Sequence, residues 1–308
     1  MPAAAHTLGG TRRTSPWRLV SRRDIPPTVP GARPTDGGGG SLIEWFGCTI
    51  MGVVNTTPDS FSDGGLHHAT ADAVVHARRL VRDGAFVVDI GGESTRPGAD
   101  VVPLDVELAR TIPVIEQIAG DADVLISVDT RKPAVAAAAV AAGAHIVNDV
   151  GGLRDPQMVE VCASLGVPAV VMHMRGTPVD MQRDPRYDDV VAEVVAWLTT
   201  QAEMALAHAV PSVMVDPGIG FGKTLQHNLA LFAALPLTTA YPVLIGASRK
   251  RTIQQLAGID ERAGRDAGSI AAHLVAAHRG VAMVRVHDVA GHHQAFAVDA
   301  ALDADVPR

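Results

Sequence analysis

FVVDIGGESTRPG, residues 86–98, decides how the rest of the chain is read. It opens as an apolar, β-branched run suited to a strand buried on both faces, and it reaches a carboxylate at Asp89. The glycine pair Gly91–Gly92 loosens the backbone. Ser94, Thr95 and Arg96 then present three polar groups before Pro97–Gly98 turns the chain away. An apolar strand that delivers polar side chains from its carboxyl end is how an α/β protein builds a site.

The same grammar recurs along the chain. Apolar runs followed by polar or glycine-rich loops occur at CTIMGVVN (48–55), VLISVDT (124–130), HIVNDV (145–150), AVVMHM (169–174), VMVDPGI (213–219), PVLIGAS (242–248) and MVRVHD (283–288). Helical stretches rich in Ala, Val and Leu lie between them, and several end at Gly84, Gly143, Gly166 or Gly280 just before the next strand, as a helix C-cap would. Counting 86–92, eight such units predict an α/β fold, a (β/α)8 TIM barrel of roughly 250 residues. A doubly wound open sheet is the rival, and the number of units favours the barrel.

Bulk properties narrow the class. The chain has 308 residues, is 47% hydrophobic and carries a net charge of −7. That balance supports a large core and argues against a general nucleic-acid binder, which would show a basic surface. Cys48 and Cys162 fit no metal or redox spacing and read as buried thiols of a reducing compartment, so the expected location is cytoplasmic. No run in the sequence reads as a membrane span of ~18 residues, and no secretory signal opens the chain. Residues 1–40 differ from the rest: six arginines stand against Asp24 and Asp36, and prolines lead into Gly37–Gly40. They are expected to form a disordered extension, an organelle transit peptide being the alternative, with 41–308 as the barrel domain. Lysine occurs only at Lys132, Lys223 and Lys250, so each of the three merits scrutiny.

In a barrel, chemistry belongs at the carboxyl ends of the strands. Those ends carry Asn55, Asp89, Asp129, Asn148 with Asp149, Met172 with His173, Asp216, Ser248, and Arg285 with His287; Lys250 follows two residues after Ser248. Any one of them could be a turn former or helix cap. Polar groups of both signs at all the ends together point to a site. The loop after Asn55 is long and polar, with Phe61 as a possible aromatic contact on a lid. Arg96, between Thr95 and Pro97, suits phosphate or carboxylate recognition. VMVDPGIGFGKT (213–224) misses the P-loop pattern because Pro217 stands where the first glycine belongs. What remains there is Asp216, whose carboxylate can take two parallel bonds from an amidine-like edge, followed by Phe221. Arg285 and His287 are two apart and share a face, as an anion clamp would. His67–His68 and His292–His293 lack metal-site spacing and read as surface residues.

These pieces resemble the dihydropteroate synthase family of pterin-binding enzymes. NTTPDSFSDGG (55–65), DIGGESTRPGA (89–99), SVDT (127–130), VND (147–149), DPGIGFGK (216–223), GASRKR (246–251) and RVHDV (285–289) fall in family order over nearly all of 48–289. Gly151, where a serine is more usual, and the 1–40 extension are departures. The resemblance implies condensation of 6-hydroxymethyl-7,8-dihydropterin diphosphate with 4-aminobenzoate, giving 7,8-dihydropteroate and diphosphate. It implies that Asp129, Asn148, Met172, Asp216 and Lys250 hold the pterin. Asn55, Arg285 and His287 would hold the diphosphate, Asn55 also contacting Mg2+. Phe61, Thr95, Pro97, Phe221, Ser248 and Arg249 would frame the 4-aminobenzoate, with Asp89 and Arg96 supporting the reaction centre. It further implies sulfonamide sensitivity and a homodimer formed through the last helices. The alternatives are a methyltetrahydrofolate-type pterin methyltransferase, which should lack the diphosphate clamp, and a non-catalytic pterin-binding paralogue, which should have lost a site residue.

Overall fold

The computed structural model describes residues 18–19, 43–44, 48–56, 65–95, 98–121 and 124–304. Within the region expected to be disordered, Arg18–Leu19 pairs antiparallel with Ile43–Glu44. The remainder of that extension lies outside the described residues.

Eight parallel strands form the body of the protein: β1 (Thr49–Asn55), β2 (Val87–Gly91), β3 (Leu125–Asp129), β4 (Ile146–Asp149), β5 (Ala169–Met172), β6 (Val213–Asp216), β7 (Leu244–Ile245) and β8 (Met283–Val286). Each of the first five pairs with the next in sequence, and β8 pairs with both β1 and β7. A single parallel bridge, Val215 to Val243, brings β6 against the run into β7, and Val215 N–H donates to Pro242 O at 2.9 Å. The sheet is thereby a nearly closed (β/α)8 barrel, as the repeat count predicts.

Nine α-helices among the described residues surround it: α1 (Gly65–Arg82), α2 (Leu104–Ile118), α3 (Pro133–Ala141), α4 (Pro156–Leu165), α5 (Val190–Ala207), α6 (Leu225–Ala233), α7 (Arg251–Ala257), α8 (Asp266–His278) and α9 (Val289–Ala304). Local chemistry sets their ends. Proline occupies the first turn of α3 and α4, where its missing N–H costs nothing. Asp155 and Asp189 accept backbone N–H groups at the starts of α4 and α5, and Thr224 with His227 forms a capping box on α6. Gly166 closes α4 at φ 64°, a left-handed conformation that glycine adopts without a Cβ clash. Helix α5 is long and apolar enough to cross a membrane, which the sequence reading did not anticipate. Its Val190, Val194, Leu198, Ala202 and Ala205 are buried in the same core as β5 and β6.

Strand periodicity sorts the side chains. Val54, Val88, Ile90, Ile126, Val128, Val147, Val171, Val215 and Val284 face outward into the large core shared with the helices. Met51, Val87, Leu125, Ile146, Val170, Met214, Leu244 and Met283, one from every strand, fill the barrel floor. Truncating any of these to Ala would cost roughly 2–5 kcal/mol. Two residues further along, the same inward phase reaches Val53, Asp89, Ser127, Asn148, Met172, Asp216, Gly246 and Arg285. The barrel thus changes from apolar to polar over one step of the pleat.

Candidate active site

Above that change lies a cavity of about 720 Å³. Asn55, Thr95, Asp129, Asn148, Met172, Asp216, Phe221, Ser248, Arg249, Lys250, Arg285 and His287 all line it.

At its base, charges are paired across the barrel. Arg285 Nε donates to Asp89 Oδ2 at 2.6 Å, and Arg285 Nη2 donates to Asp129 Oδ2 at 2.7 Å. Asn148 Nδ2 donates to the same Asp89 oxygen at 3.0 Å. Asp89 is 0% exposed and, among the described residues, its Oδ1 has no partner. The two carboxylates use only two of the five N–H groups of Arg285, so the guanidinium keeps donors for a ligand. Burial pushes the Asp129 carboxyl up to about 7; Arg285 opposes the rise, and Asp89, Glu107 and Asp149 add to it.

The wall from β6 and β7 is built around a buried carboxylate and two amines, Lys223 buried and Lys250 half-buried. Asp216 Oδ1 accepts the Gly218 N–H at 2.7 Å, and burial raises its pKa against the pull of Lys250. Gly218 has φ +66°, and a Cβ there would lie 2.0 Å from His173 O, so only glycine fits. Lys250 Nζ donates to Ile219 O at 2.8 Å and sits 4.5 Å from the centre of the Phe221 ring. Burial lowers its pKa to about 8, with Asp216 acting the other way. The Lys223 ammonium braces the loop from behind, donating to Gly218 O, Phe221 O and His173 O and contacting His173 Nδ1 at 3.0 Å. Burial brings Lys223 down to about 7 and His173 to about 2. The ring of His173 is therefore neutral, with Nδ1 as acceptor.

At the rim, Ser248 Oγ accepts the His287 N–H at 3.1 Å and lies 2.9 Å from His287 Nδ1. A serine hydroxyl that donates to Nδ1 would leave the ring proton on Nε2. Arg249, next in sequence, has φ 58°, a strained conformation for a residue with a side chain. Its N–H donates to Ser269 Oγ, its carbonyl accepts from Arg265, and its guanidinium forks onto Asp266 with two bonds of 2.7 Å. Those bonds hold the turn, with Ser248 and Lys250 on the cavity wall.

The pterin binding enzyme family matches residues 51–287. Dihydropteroate synthase of Escherichia coli K12 is 46% identical over 261 residues, covering 83% of this chain and 92% of that protein. The chain belongs to the dihydropteroate synthase family of pterin-binding enzymes. Its fold matches a Xanthomonas albilineans dihydropteroate synthase in complex with 7,8-dihydropteroate at TM-score 0.76 and 45% identity, over 84% of this chain and 95% of the other. A Yersinia pestis dihydropteroate synthase with a sulfonamide drug complex matches at TM-score 0.78 and 41% identity, over 84% and 95%.

Not every strand-end polar group belongs to the cavity of this dihydropteroate synthase relative. Asp149 points out of the barrel, where it accepts the N–H groups of Gly151 and Leu153 at 2.7 and 2.8 Å. His173 likewise points outward, edge-on to Trp197. The pleat explains both, since each follows an inward residue. His292, expected on the surface, is 0% exposed. The guanidinium of Arg249 is occupied by Asp266 although the residue lines the cavity. Phe61, Arg96 and Pro97 lie outside the described residues.

The loop after β2 has an anchor that sequence reasoning missed. Glu93 pairs with Arg131 and Lys132, and Lys132 also pairs with Glu107. Thr130 Oγ1 donates to Glu107 Oε1 at 2.6 Å, and Arg110 Nη1 donates to Gly92 O at 3.0 Å. Burial alone would raise the Glu93 pKa, but the bonds from Lys132 and Arg131 hold it below the usual range. The scarcity of lysine flagged Lys132 and Lys223; it gave no sign that both are struts.

Proposed function

We propose that this protein joins 4-aminobenzoate to 6-hydroxymethyl-7,8-dihydropterin diphosphate, releasing diphosphate and 7,8-dihydropteroate. One observation carries the reading: a single cavity holds a buried carboxylate–lysine wall at Asp216 and Lys250 beside the Arg285 and His287 donors. The first suits the donor edge of a pterin and the second its leaving group. Membership of the dihydropteroate synthase family, with a relative solved in complex with 7,8-dihydropteroate, supports it.

The pterin ring lies over Asp129, Asn148 and Met172, with its amidine-like edge on Asp216. Lys250, over Phe221, donates to a ring acceptor. The diphosphate faces Asn55, the free donors of Arg285 and the protonated Nε2 of His287. As the C–O bond breaks, its electron pair leaves with the diphosphate, and those donors stabilise the growing charge. The exocyclic methylene becomes cationic, a charge favoured by Asp129 and Asp216. The amine of 4-aminobenzoate, framed by Thr95, Phe221 and Ser248, then forms the C–N bond and releases a proton to solvent. The displacement is dissociative and forms no covalent bond to the enzyme. An aromatic amine is a weak nucleophile, so orientation contributes more than a strong base.

The residues present fit Mg2+. That ion takes one or two protein oxygens and completes its shell with water and substrate phosphate. Among the described residues no cluster of three or more His, Cys, Asp or Glu could hold a metal, and Asn55 offers one carboxamide oxygen at the cavity wall. When bound, Mg2+ adds positive charge at the leaving group.

The protein is proposed to act in the cytoplasm as a homodimer; the outer faces of α8 and α9 expose Val275, Val298 and Leu302. The decisive experiment follows diphosphate release by pure protein with and without 4-aminobenzoate at fixed Mg2+. Release that depends on the amine, is lost with chelator and is competitively inhibited by a sulfonamide is expected. Folded protein giving no amine-dependent release overturns the proposal.

A further inference from the structure

The β7–β8 ladder ends at Ile245 and Val284, yet Ser248 and His287 meet three residues further on. Ala247 is 0% exposed there, and its N–H has no strand partner. Helix α8 satisfies it. Ala247 N–H donates to His273 Nε2 at 3.1 Å, and His273 Nδ1 lies 2.8 Å from His292 Nε2 on α9. His292 Nδ1 lies 2.6 Å from Asp288 O.

These contacts fix every proton. Because His273 Nε2 accepts, its Nδ1 carries the hydrogen and donates to His292 Nε2; His292 Nδ1 then donates to the carbonyl of Asp288. The circuit closes on itself. It runs from Ala247 through the two rings to Asp288, along the backbone to His287, across the His287–Ser248 contact, and back to Ala247. Ser269, one turn before His273 on α8, holds a second N–H of the same segment, that of Arg249, at 3.0 Å. Both rings are 0% exposed, and burial favours their neutral forms. His292 faces Asp266 and Asp288, and His273 faces Lys250 and His287. A doubly protonated ring could not accept where the circuit requires an acceptor.

We infer that His273 is a positioning residue for the Ser248–His287 pair, and that His292 fixes the tautomer through which it acts. The inference rests on the proposed roles of Ser248 toward 4-aminobenzoate and of His287 toward diphosphate. It predicts loss on the aminobenzoate side of the reaction with the deep pterin contacts intact.

The test measures kcat and KM for both substrates, and Kd for the diphosphate-free 6-hydroxymethylpterin. The variants are His273→Leu, His273→Gln, His292→Leu, His292→Gln and Ser248→Ala. In His273→Gln the carboxamide oxygen replaces Nε2 as acceptor for Ala247; in His292→Gln it replaces the acceptor for His273. The leucine variants are expected to lower kcat/KM for 4-aminobenzoate about tenfold, with pterin Kd changed less than about twofold. The glutamine variants should stay within about threefold of the parent. Unchanged aminobenzoate kinetics in folded leucine variants, an equal loss of pterin affinity, or no recovery with glutamine overturns the inference. If the leucine variants do not fold, the glutamine pair decides: parent-like kinetics supports it and a tenfold loss overturns it. A Ser248→Ala variant without effect removes the reading of Ser248 and the inference with it. A Ser248→Ala defect beside a silent His273→Leu removes the inference alone.

Discussion

Replacing Asp89 with Asn removes a charge from the centre of the barrel and changes almost no volume, so the cost is electrostatic. In the parent, Asp89 Oδ2 takes Arg285 Nε at 2.6 Å and Asn148 Nδ2 at 3.0 Å, with the carboxylate 0% and the guanidinium 22% exposed. A carboxamide oxygen still accepts, but each contact falls from a charged bond of roughly 1.5–3 kcal/mol to a neutral one of about 1 kcal/mol. Removing one member of a buried pair costs about 3–5 kcal/mol when nothing compensates. Here Arg285 keeps Asp129 at 2.7 Å, which brings the expected loss to about 2–3 kcal/mol. At about 2–4 °C per kcal/mol for a domain of this size, the melting temperature should fall by about 4–12 °C. The same change should lower kcat/KM at least about tenfold by freeing Arg285 to swing from the leaving group. Calorimetry and steady-state kinetics at neutral pH read both effects. A melt within about 2 °C of the parent together with unchanged kcat/KM would refute the claim that Asp89 anchors Arg285.

Three further outcomes are expected. Asp129 is raised from 3.8 to about 7, so between those values the folded protein holds a proton that the unfolded chain has lost. Its contribution therefore makes stability fall as pH rises through that window, and melting temperatures of Asp129→Asn should fall less steeply there than those of the parent; equal slopes would contradict the assignment. Lys132→Met strands Glu107, whose side chain is 1% exposed, and should cost about 3–5 kcal/mol in urea unfolding while lowering kcat through a looser loop after β2; an unchanged midpoint would show that the cluster anchors nothing. Asp216→Asn and Lys250→Met should each raise the pterin-diphosphate Kd about tenfold or more by titration calorimetry, and unchanged affinity in both would mean that the ring sits elsewhere.

The barrel was legible because a parallel strand buried on both faces must read as an unbroken apolar run. The runs 48–55 and 283–288 contain β1 and β8 almost residue for residue. The site was legible for a related reason: inward positions beyond the apolar floor have no use for polarity unless a ligand meets them. The sequence reading went astray where it pooled neighbours. Asn148 with Asp149, and Met172 with His173, alternate across the sheet, and only the first of each pair faces the cavity. Long-range pairing was not legible at all. Arg285 meets Asp89 across 196 residues and Asp129 across 156, and no local pattern announces either contact. The His273–His292 contact was hidden for another reason. Its two rings lie on separate helices, and their neighbours His278 and His293 are exposed, so histidine content alone pointed to the surface.

The most direct measurement of the proposed chemistry is product stoichiometry by mass spectrometry, run on the parent and on an Asp216→Asn/Lys250→Met double variant that retains its fold. One 7,8-dihydropteroate per diphosphate released by the parent, and almost none from the variant, is the predicted result. Diphosphate release without dihydropteroate, or undiminished product from the variant, would contradict it.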